Sequence, residues 1–457
     1  MGANDELDSL RLQIRGITSD IMQKVHQRME LVRQVGEVKG RLGIDVKDEK
    51  VEQEIRMMVL RQAQESGMSG EFALRLLNIL LKESESVQEL KRPKAAQKMT
   101  HLGIFQKAKQ LEASGKKMIH LEVGEPDYPP PASAGSALGE SFRQKKYHYT
   151  DTRGIPQLRS AIAKRSMVAE EQVIVTPGGR FAVFAAIASL VQPGEELISI
   201  EPAWPAYREC ADFCSARSKV LRTTLEGGWT PDVKELESMI TEGTKMIAIN
   251  YPNNPTGKVL DKATMAKIVA LAQEHGLYLL SDEVYSEYAF RPFESVLAYN
   301  YEKSIVVSSF SKTYAMTGFR VGYATASADI IKKMTRVQAA GITSVAEPIQ
   351  NAALAALGED PSGNVELMKK RLQFASAKIK EMSLRFAEPD GAMYVYPELP
   401  AGDDMAVVEK LLERGVAIAP GSGFGDSYKK FVRISACRPE EEMEKGLAIM
   451  ADVLRQA

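Results

Sequence analysis

Two sets of residues have the types and spacing to do chemistry. In the longer part of the chain, five segments put polar residues at the ends of apolar runs. Thr176-Pro177-Gly178-Gly179-Arg180 follows a strand-like run and opens a helical one, so its free backbone N–H groups could cradle a phosphate. Asn250-Tyr251-Pro252-Asn253-Asn254-Pro255-Thr256-Gly257 follows a second apolar run, and Asp282-Glu283-Val284-Tyr285 ends a third with a carboxylate. Ser309-Phe310-Ser311-Lys312 ends a fourth with an amine, and Gly318-Phe319-Arg320-Val321-Gly322 follows it. Near the C-terminus, Phe431-Val432-Arg433-Ile434-Ser435 sets an arginine inside an apolar stretch. Singly, each has an ordinary reading: Asp282 as a strand-end cap, Lys312 as a solvated lysine, Arg433 as the partner of a surface carboxylate. In this order and spacing they point to one site.

The second set lies in the first 92 residues. Arg28 and Lys39 are eleven residues apart, close to three helical turns, and so share a face. Their separation of roughly 16 Å along an axis is one that two long cationic side chains could bridge around a compact dianion. Asp48 with Glu52, and Ser84 with Gln88, are i, i+4 pairs that would also share helix faces. Ordinary exposed helix polarity would read the same way on spacing alone. The five histidines (His26, His101, His120, His148, His275) show no metal-site spacing, and Cys210 with Cys214 is too little for zinc.

The elements that must carry these residues differ across the chain. All 21 prolines come after residue 92, and the polar stretch Glu89-Leu90-Lys91-Arg92-Pro93-Lys94 suits a boundary. Before it, Leu7, Leu10, Ile14, Ile17, Ile21, Val25, Val32 and Val35 recur at spacings of three, four and seven, the stripe of one long amphipathic helix reaching about Leu42. A helix that long needs a partner along its length, which suggests a dimer. A second helix starts near Asp45 or Asp48, both candidate N-caps, and stops before Gly67. A third runs from near Ser69 past Gln88. After residue 100, VIVTPGG, ELISIEP, MIAINYP, LYLLSDEVY, SIVVSSFSK and VGYATA alternate with helical segments. Continuous apolar strands between helices predict a mostly parallel sheet covered on both faces, with ligands at the strands' carboxyl ends.

The sequence from 100 to 457 resembles the pyridoxal-phosphate-dependent aminotransferases of classes I and II. The resemblance rests on NPTG, SFSK and GFRVG, with Val123-Gly124-Glu125-Pro126-Asp127 and Tyr147-His148-Tyr149-Thr150 before Gly154. It implies a three-layer α/β fold with a large domain at about 140–335 and a smaller α+β domain at about 100–139 plus 336–457. It also implies pyridoxal 5'-phosphate held by Lys312 as a Schiff base, and Asp282 on the pyridine nitrogen. Asn254 and Tyr285 would meet the phenolic oxygen, and Trp204 the ring face. Gly179, Arg180, Ser309 and Arg320 would bind the phosphate, with Tyr149 reaching in from a second subunit. Arg433 would clamp the substrate's α-carboxylate bidentately, as a guanidinium fork can, and Gly124 would leave room beside it.

Residues 1–92 resemble the all-helical, type II chorismate mutase domain, an intertwined dimer of three-helix chains. The matching positions are Arg11, Arg28, Lys39, Asp48, Glu52, Ser84 and Gln88, with Arg11 serving the partner's site. Where that family has arginine just before the glutamate, this sequence has Val51. The reaction implied, chorismate to prephenate, moves no proton. Its catalysis must hold the compact conformer and stabilise developing charge. Lys39 and Gln88 would donate to the ether oxygen, the arginines would grip two carboxylates, and Glu52 and Asp48 would hold the hydroxyl and neighbouring polar groups.

Composition narrows the alternatives. Of 457 residues, 59 Lys and Arg stand against 60 Asp and Glu, a formal charge of −1, which argues against a general nucleic-acid or anionic-membrane binder. Residues 1–92 hold fifteen basic and sixteen acidic residues, so a helical DNA-binding regulator is not favoured. No stretch approaches the ~20 apolar residues of a membrane span, and three cysteines make no disulfide framework. A cytoplasmic homodimer acting on small molecules is expected. It divides into a helical domain at 1–92, a linker at 93–99 and an aminotransferase at 100–457. Its expected work is bifunctional, rearranging chorismate and transaminating an aromatic oxo acid or prephenate. The alternatives are an aspartate-type or broad enzyme whose helical domain only dimerises or senses a ligand, and a lyase, racemase or decarboxylase on the same cofactor.

Overall fold

The computed structural model describes residues 3–42, 44, 46, 48–89, 101–400 and 403–456. The linker expected at 93–99 and the candidate cap Asp45 lie outside them. By its internal contacts the chain separates into two compact units, Met1–Gln97 and Lys98–Ala457.

In the first unit, α1 (Ala3–Leu42) runs for 40 residues, with Asp5 and Glu6 in its first turn and Lys39 and Arg41 in its last. That charge placement complements the helix dipole. α2 (Glu49–Ser66) is capped by Asp48, whose carboxylate accepts from the Val51 N–H at 3.2 Å, and ends on Gly67 at φ +71°. α3 (Gly70–Glu89) packs on both α1 and α2, burying Met29, Ala63, Ala73 and Leu77 with Ser84 and Gln88. The apolar stripe on the first half of α1, Leu7, Leu10, Ile14, Ile17 and Ile21, stays exposed.

The second unit opens with α4 (His101–Ala113) and β1 (Ile119–His120), then runs through β2 (Val173–Thr176), β3 (Glu196–Glu201), β4 (Arg217–Arg222), β5 (Thr244–Asn250), β6 (Tyr278–Asp282), β7 (Ser304–Ser309) and β8 (Gly322–Ala326). The seven strands β2 to β8 form one sheet in the order β2-β8-β7-β6-β5-β3-β4. It is parallel except for β8, which runs antiparallel to both neighbours. Alternate residues face opposite layers: Met246, Ala248, Leu280, Ile305 and Val307 pack in one cluster, and Ile247, Ile249, Leu279 and Val306 in another. Burial on both faces is why these strands read as unbroken apolar runs.

Register lines up the polar residues. Asn250 pairs with Asp282, Asp282 with Val307, Ser309 with Gly322, and Gly322 with Thr176, all at one end of the sheet. A smaller part is built on β9 (Tyr394–Val395), β10 (Val416–Ala417), β11 (Ala419–Pro420) and β12 (Val432–Ser435). β11-β12-β9 form one sheet and β10 pairs with β1. The helices Ser362–Glu381, Asp404–Glu413 and Glu440–Arg455 cover them through Leu372, Ile379, Leu411, Leu447 and Met450.

Candidate active sites

β6 ends on Asp282, which is buried and accepts a hydrogen bond from the Tyr207 hydroxyl at 2.7 Å on Oδ2. Burial lifts this carboxyl to about 6, with the Tyr207 bond opposing the rise. A carboxylate so placed is poised for a cationic partner. β7 runs into a four-residue helix, Phe310–Thr313, capped by the Ser309 hydroxyl. This turn presents Lys312, whose ammonium donates to the carbonyl of Gly124. Loss of hydration pulls its pKa below the ordinary lysine value.

Beside it is a cradle with no room for side chains. Gly178 opens the helix Gly178–Leu190 at φ +79°, and a Cβ there would lie 2.8 Å from Nη2 of Arg320. A Cβ on Gly322 would lie 2.7 Å from the Gly179 nitrogen. Gly179 and the Arg180 backbone thus sit at a helix N-terminus beside the exposed Arg320 guanidinium, an arrangement suited to an anion. The Arg180 side chain turns instead to Trp204, 4.8 Å from its ring centroid, and to Glu209 at 3.3 Å.

Arg433, only 2% exposed, comes from β12. Its Nη1 donates to Asn254 Oδ1 at 2.8 Å and its Nη2 to the Glu122 carbonyl, while its buried Nε has no partner. The guanidinium lies 4.3 Å from the Tyr394 centroid and 4.9 Å from that of Phe424. Tyr394 and Tyr285 share a hydrogen bond at 2.8 Å between their hydroxyls. A Cβ on Gly124 would run into the Tyr394 hydroxyl. Lys312, Gly124, Arg433, Asn254, Tyr285 and Asp282 are thereby joined by direct contacts or sheet register. Tyr149 is not: in the single chain it is 91% exposed. The sequence reading missed Tyr207, Tyr394, Phe424 and the Glu122 carbonyl. Tyr207 had a faint signal, three residues beyond Trp204; the others had none.

In the helical unit, Arg28 Nη1 donates to Ser84 Oγ at 2.5 Å and to the Leu80 carbonyl at 3.1 Å, and burial lowers the guanidinium's pKa. Gln88 is buried with an unpartnered Oε1, and a Cβ on Gly36 would lie 3.0 Å from its Cγ. Arg28, Ser84 and Gln88 therefore converge between α1 and α3. Lys39 donates to the Val46 carbonyl at 2.6 Å, Asp48 is engaged as the α2 cap, and Glu52 is half-buried one turn on. Arg11 is exposed and pairs with Asp8 at 3.2 Å.

Comparison with known proteins accounts for both units. Residues 116–449 match the family model of class I and II aminotransferases, and residues 10–89 that of type II chorismate mutase. The aspartate aminotransferase of Thermotoga maritima is 34% identical over 358 residues, 76% of this chain and 94% of the relative. An aspartate/prephenate aminotransferase of Thermus thermophilus is 32% identical, covering 80% of this chain and 99% of its own length. Among solved structures, the Thermotoga maritima enzyme superposes with a TM-score of 0.74 at 33% identity over 78% of this chain and 96% of its own. Thermus thermophilus aspartate aminotransferase with maleate superposes at 0.75 and 32% identity over 79% and 98%. The chain belongs to the class I and II aminotransferases and carries a type II chorismate mutase domain ahead of the aminotransferase.

It is a pyridoxal-phosphate-dependent enzyme, and its residues fit that group. A buried acid with no ion-pair partner among the described residues, a partly exposed amine of lowered pKa, a glycine cradle beside an exposed arginine and an aromatic face are what the ring nitrogen, aldehyde, phosphate and ring require.

Proposed function

We propose a bifunctional enzyme of aromatic amino-acid biosynthesis that rearranges chorismate to prephenate in the helical unit. In the second unit it would transaminate prephenate or a related aromatic oxo acid, with glutamate or aspartate as donor. One observation carries this: a chorismate mutase domain and an aminotransferase lie in one chain, and prephenate is itself an oxo acid. The Thermus thermophilus relative, named for both aspartate and prephenate, supports the pairing. The aspartate aminotransferases among the relatives favour a second reading, an aspartate-type or broad-specificity enzyme whose helical domain only dimerises or senses a ligand.

Pyridoxal phosphate, when bound, supplies an aldehyde for the amino group and a ring that accepts the electron pair left at Cα. Lys312 would hold it covalently, and as a free amine its Nζ would take the proton from substrate Cα, which its lowered pKa suits. Asp282, braced by Tyr207, keeps the ring nitrogen protonated. Tyr285 and Asn254 hold the phenolic oxygen, and Trp204 covers the ring. Ser309, Arg320 and the amides of Gly179 and Arg180 bind the phosphate, joined by Tyr149 of a second subunit. Arg433 offers its unpartnered Nε toward the α-carboxylate, and Gly124 leaves space for Cα.

In the helical unit Arg28, with Arg11 of a second copy, grips the two carboxylates of chorismate. Lys39 and Gln88 donate to the ether oxygen as it gains charge, while Glu52, Asp48 and Ser84 order the hydroxyl and its surroundings. The enzyme is proposed to act as a homodimer in the cytoplasm. The test supplies the full-length holoenzyme with chorismate and glutamate, then with a panel of oxo acids. Loss of chorismate absorbance and preference for prephenate, phenylpyruvate or 4-hydroxyphenylpyruvate are expected. Unchanged chorismate with turnover of oxaloacetate alone would establish the second reading.

A further inference from the structure

Behind Arg433 lies a charged cluster that the mechanism above leaves unused. Beyond β1 the chain passes Leu121 and bends at Glu122 and Val123 before reaching Gly124. His120 and Glu122 project together, with Nδ1 of the ring 2.7 Å from Oε1 of Glu122. Glu122 is wholly buried and its second oxygen has no partner. On the other side of the ring, Nε2 lies 3.1 Å from Oε1 of Glu112 on α4, an ion-pair distance without hydrogen-bond alignment. Carboxylates beside both ring nitrogens favour the imidazolium, which carries a proton on each. An isolated carboxylate in this interior would be costly to ionise, and His120 is the cation that offsets it.

The same short segment carries the carbonyls on which the site's two main cations rest. Arg433 donates to the carbonyl of Glu122, and Lys312 to that of Gly124. We propose that the His120–Glu122 ion pair is a positioning element that fixes the 119–124 segment, so that Arg433 is held at the angle that receives the substrate's α-carboxylate. This rests on Arg433 being the carboxylate clamp. The ring is faced from α4 by Phe105 and by Glu112, which Lys109 pairs at 2.8 Å, and β10 runs alongside with Ala417 in register with His120. The C-terminal helix brings Gly446 against Ile119 and Leu121, and Arg438 after β12 donates to the His120 carbonyl at 3.4 Å. The two glutamates raise the imidazole's pKa despite burial. The pair is therefore complete at and below the ordinary histidine range and is lost as pH climbs through the raised value.

The test is steady-state kinetics of the holoenzyme with its amino donor. His120→Gln should raise KM about tenfold while kcat stays within about twofold, the pattern of lost ground-state binding. The visible absorbance of the bound cofactor should be unchanged. His120→Gln/Glu122→Gln removes the buried charge along with its partner and should recover most of the loss. Unchanged KM in folded His120→Gln overturns the inference, as does a parallel fall in kcat with an altered cofactor spectrum. Should the variant not fold, the wild-type protein decides. Its KM should climb as pH rises beyond the ordinary histidine range, with the cofactor absorbance followed in parallel as a separate report on Lys312, and a flat KM there overturns the proposal. Arg433→Lys is run in parallel. If it leaves KM unchanged the clamp reading fails, whereas a sensitive Arg433 with an indifferent His120 sinks the positioning role alone.

Discussion

Asp282 and Glu283 are neighbours in sequence, both buried, and their chemistry diverges because a strand sends successive side chains to opposite faces. Asp282 faces Tyr207 and the site. Glu283 turns away, accepting from the Ser281 hydroxyl at 2.9 Å and the Val296 N–H at 3.1 Å, and burial raises it to about 7. An acid whose folded pKa is raised binds its proton more tightly in the folded state, so stability is full below its unfolded value and declines as pH climbs toward the folded one. That decline amounts to about 3 kcal/mol for such a shift. Thermal melts of the apoprotein should show a falling Tm between about pH 4.5 and 7, and Glu283→Gln should make the fall shallower, leaving the part that Asp282 contributes; an unchanged slope would assign the decline elsewhere. Lys312→Ala should abolish transamination and the absorbance of the bound cofactor while chorismate turnover continues at the wild-type rate. Normal transamination by that variant would refute Lys312 as the reacting amine. Lys312 and Asp282 were legible in the sequence because each sits in a short motif at the end of an apolar run, and Arg433 because it is a charge inside one. Tyr207 was not, since its bond to Asp282 spans 75 residues and only the fold creates it. Tyr394 likewise meets Tyr285 across 109 residues.

At the scale of elements, legibility followed burial. The strands β2, β3, β5, β6, β7 and β8 could be read because both their faces are covered. β4, with the sequence RSKVLR, escaped because it is a partly exposed edge strand carrying three charges and a serine in six residues. β1, β9, β10 and β11 are only two residues long, too short for a period to show, whereas β12 stood out as the apolar run around Arg433. In the first unit α1 was plain from its stripe, and α2 and α3 from the start and stop signals at Asp48, Gly67 and Ser69; Asp48 was read both as a candidate cap and as a candidate site residue. The two roles can be separated. Asparagine caps as well as aspartate, so Asp48→Asn should leave the melting temperature unchanged and lower mutase kcat/KM about tenfold. Asp48→Ala should also lose about 1 kcal/mol of stability with the cap. A fully active Asp48→Asn would confine the residue to capping. Lys39→Ala should remove mutase activity while transamination survives, because Lys39 belongs to the helical unit alone.

At the scale of the molecule, each proposed site is incomplete in one chain. Arg11 and Tyr149, both assigned to a partner's site, are exposed, and the apolar stripe Leu7, Leu10, Ile14, Ile17 and Ile21 on α1 is left to solvent. A second copy laid along that stripe would bury it, giving one physical reason for the length of α1. Light scattering should therefore report twice the 50.4 kDa chain mass. Ile17→Glu places a charge in the stripe without touching any residue assigned to either site, and a charge buried there without a partner is strongly unfavourable. It should lower chorismate turnover by about tenfold or more while transamination, whose residues all lie beyond residue 100, persists. A wild-type monomer with both activities intact would contradict the sharing of Arg11 and Tyr149. A dimeric Ile17→Glu variant with full mutase activity would leave the aminotransferase as the dimer's source and return the stripe to solvent.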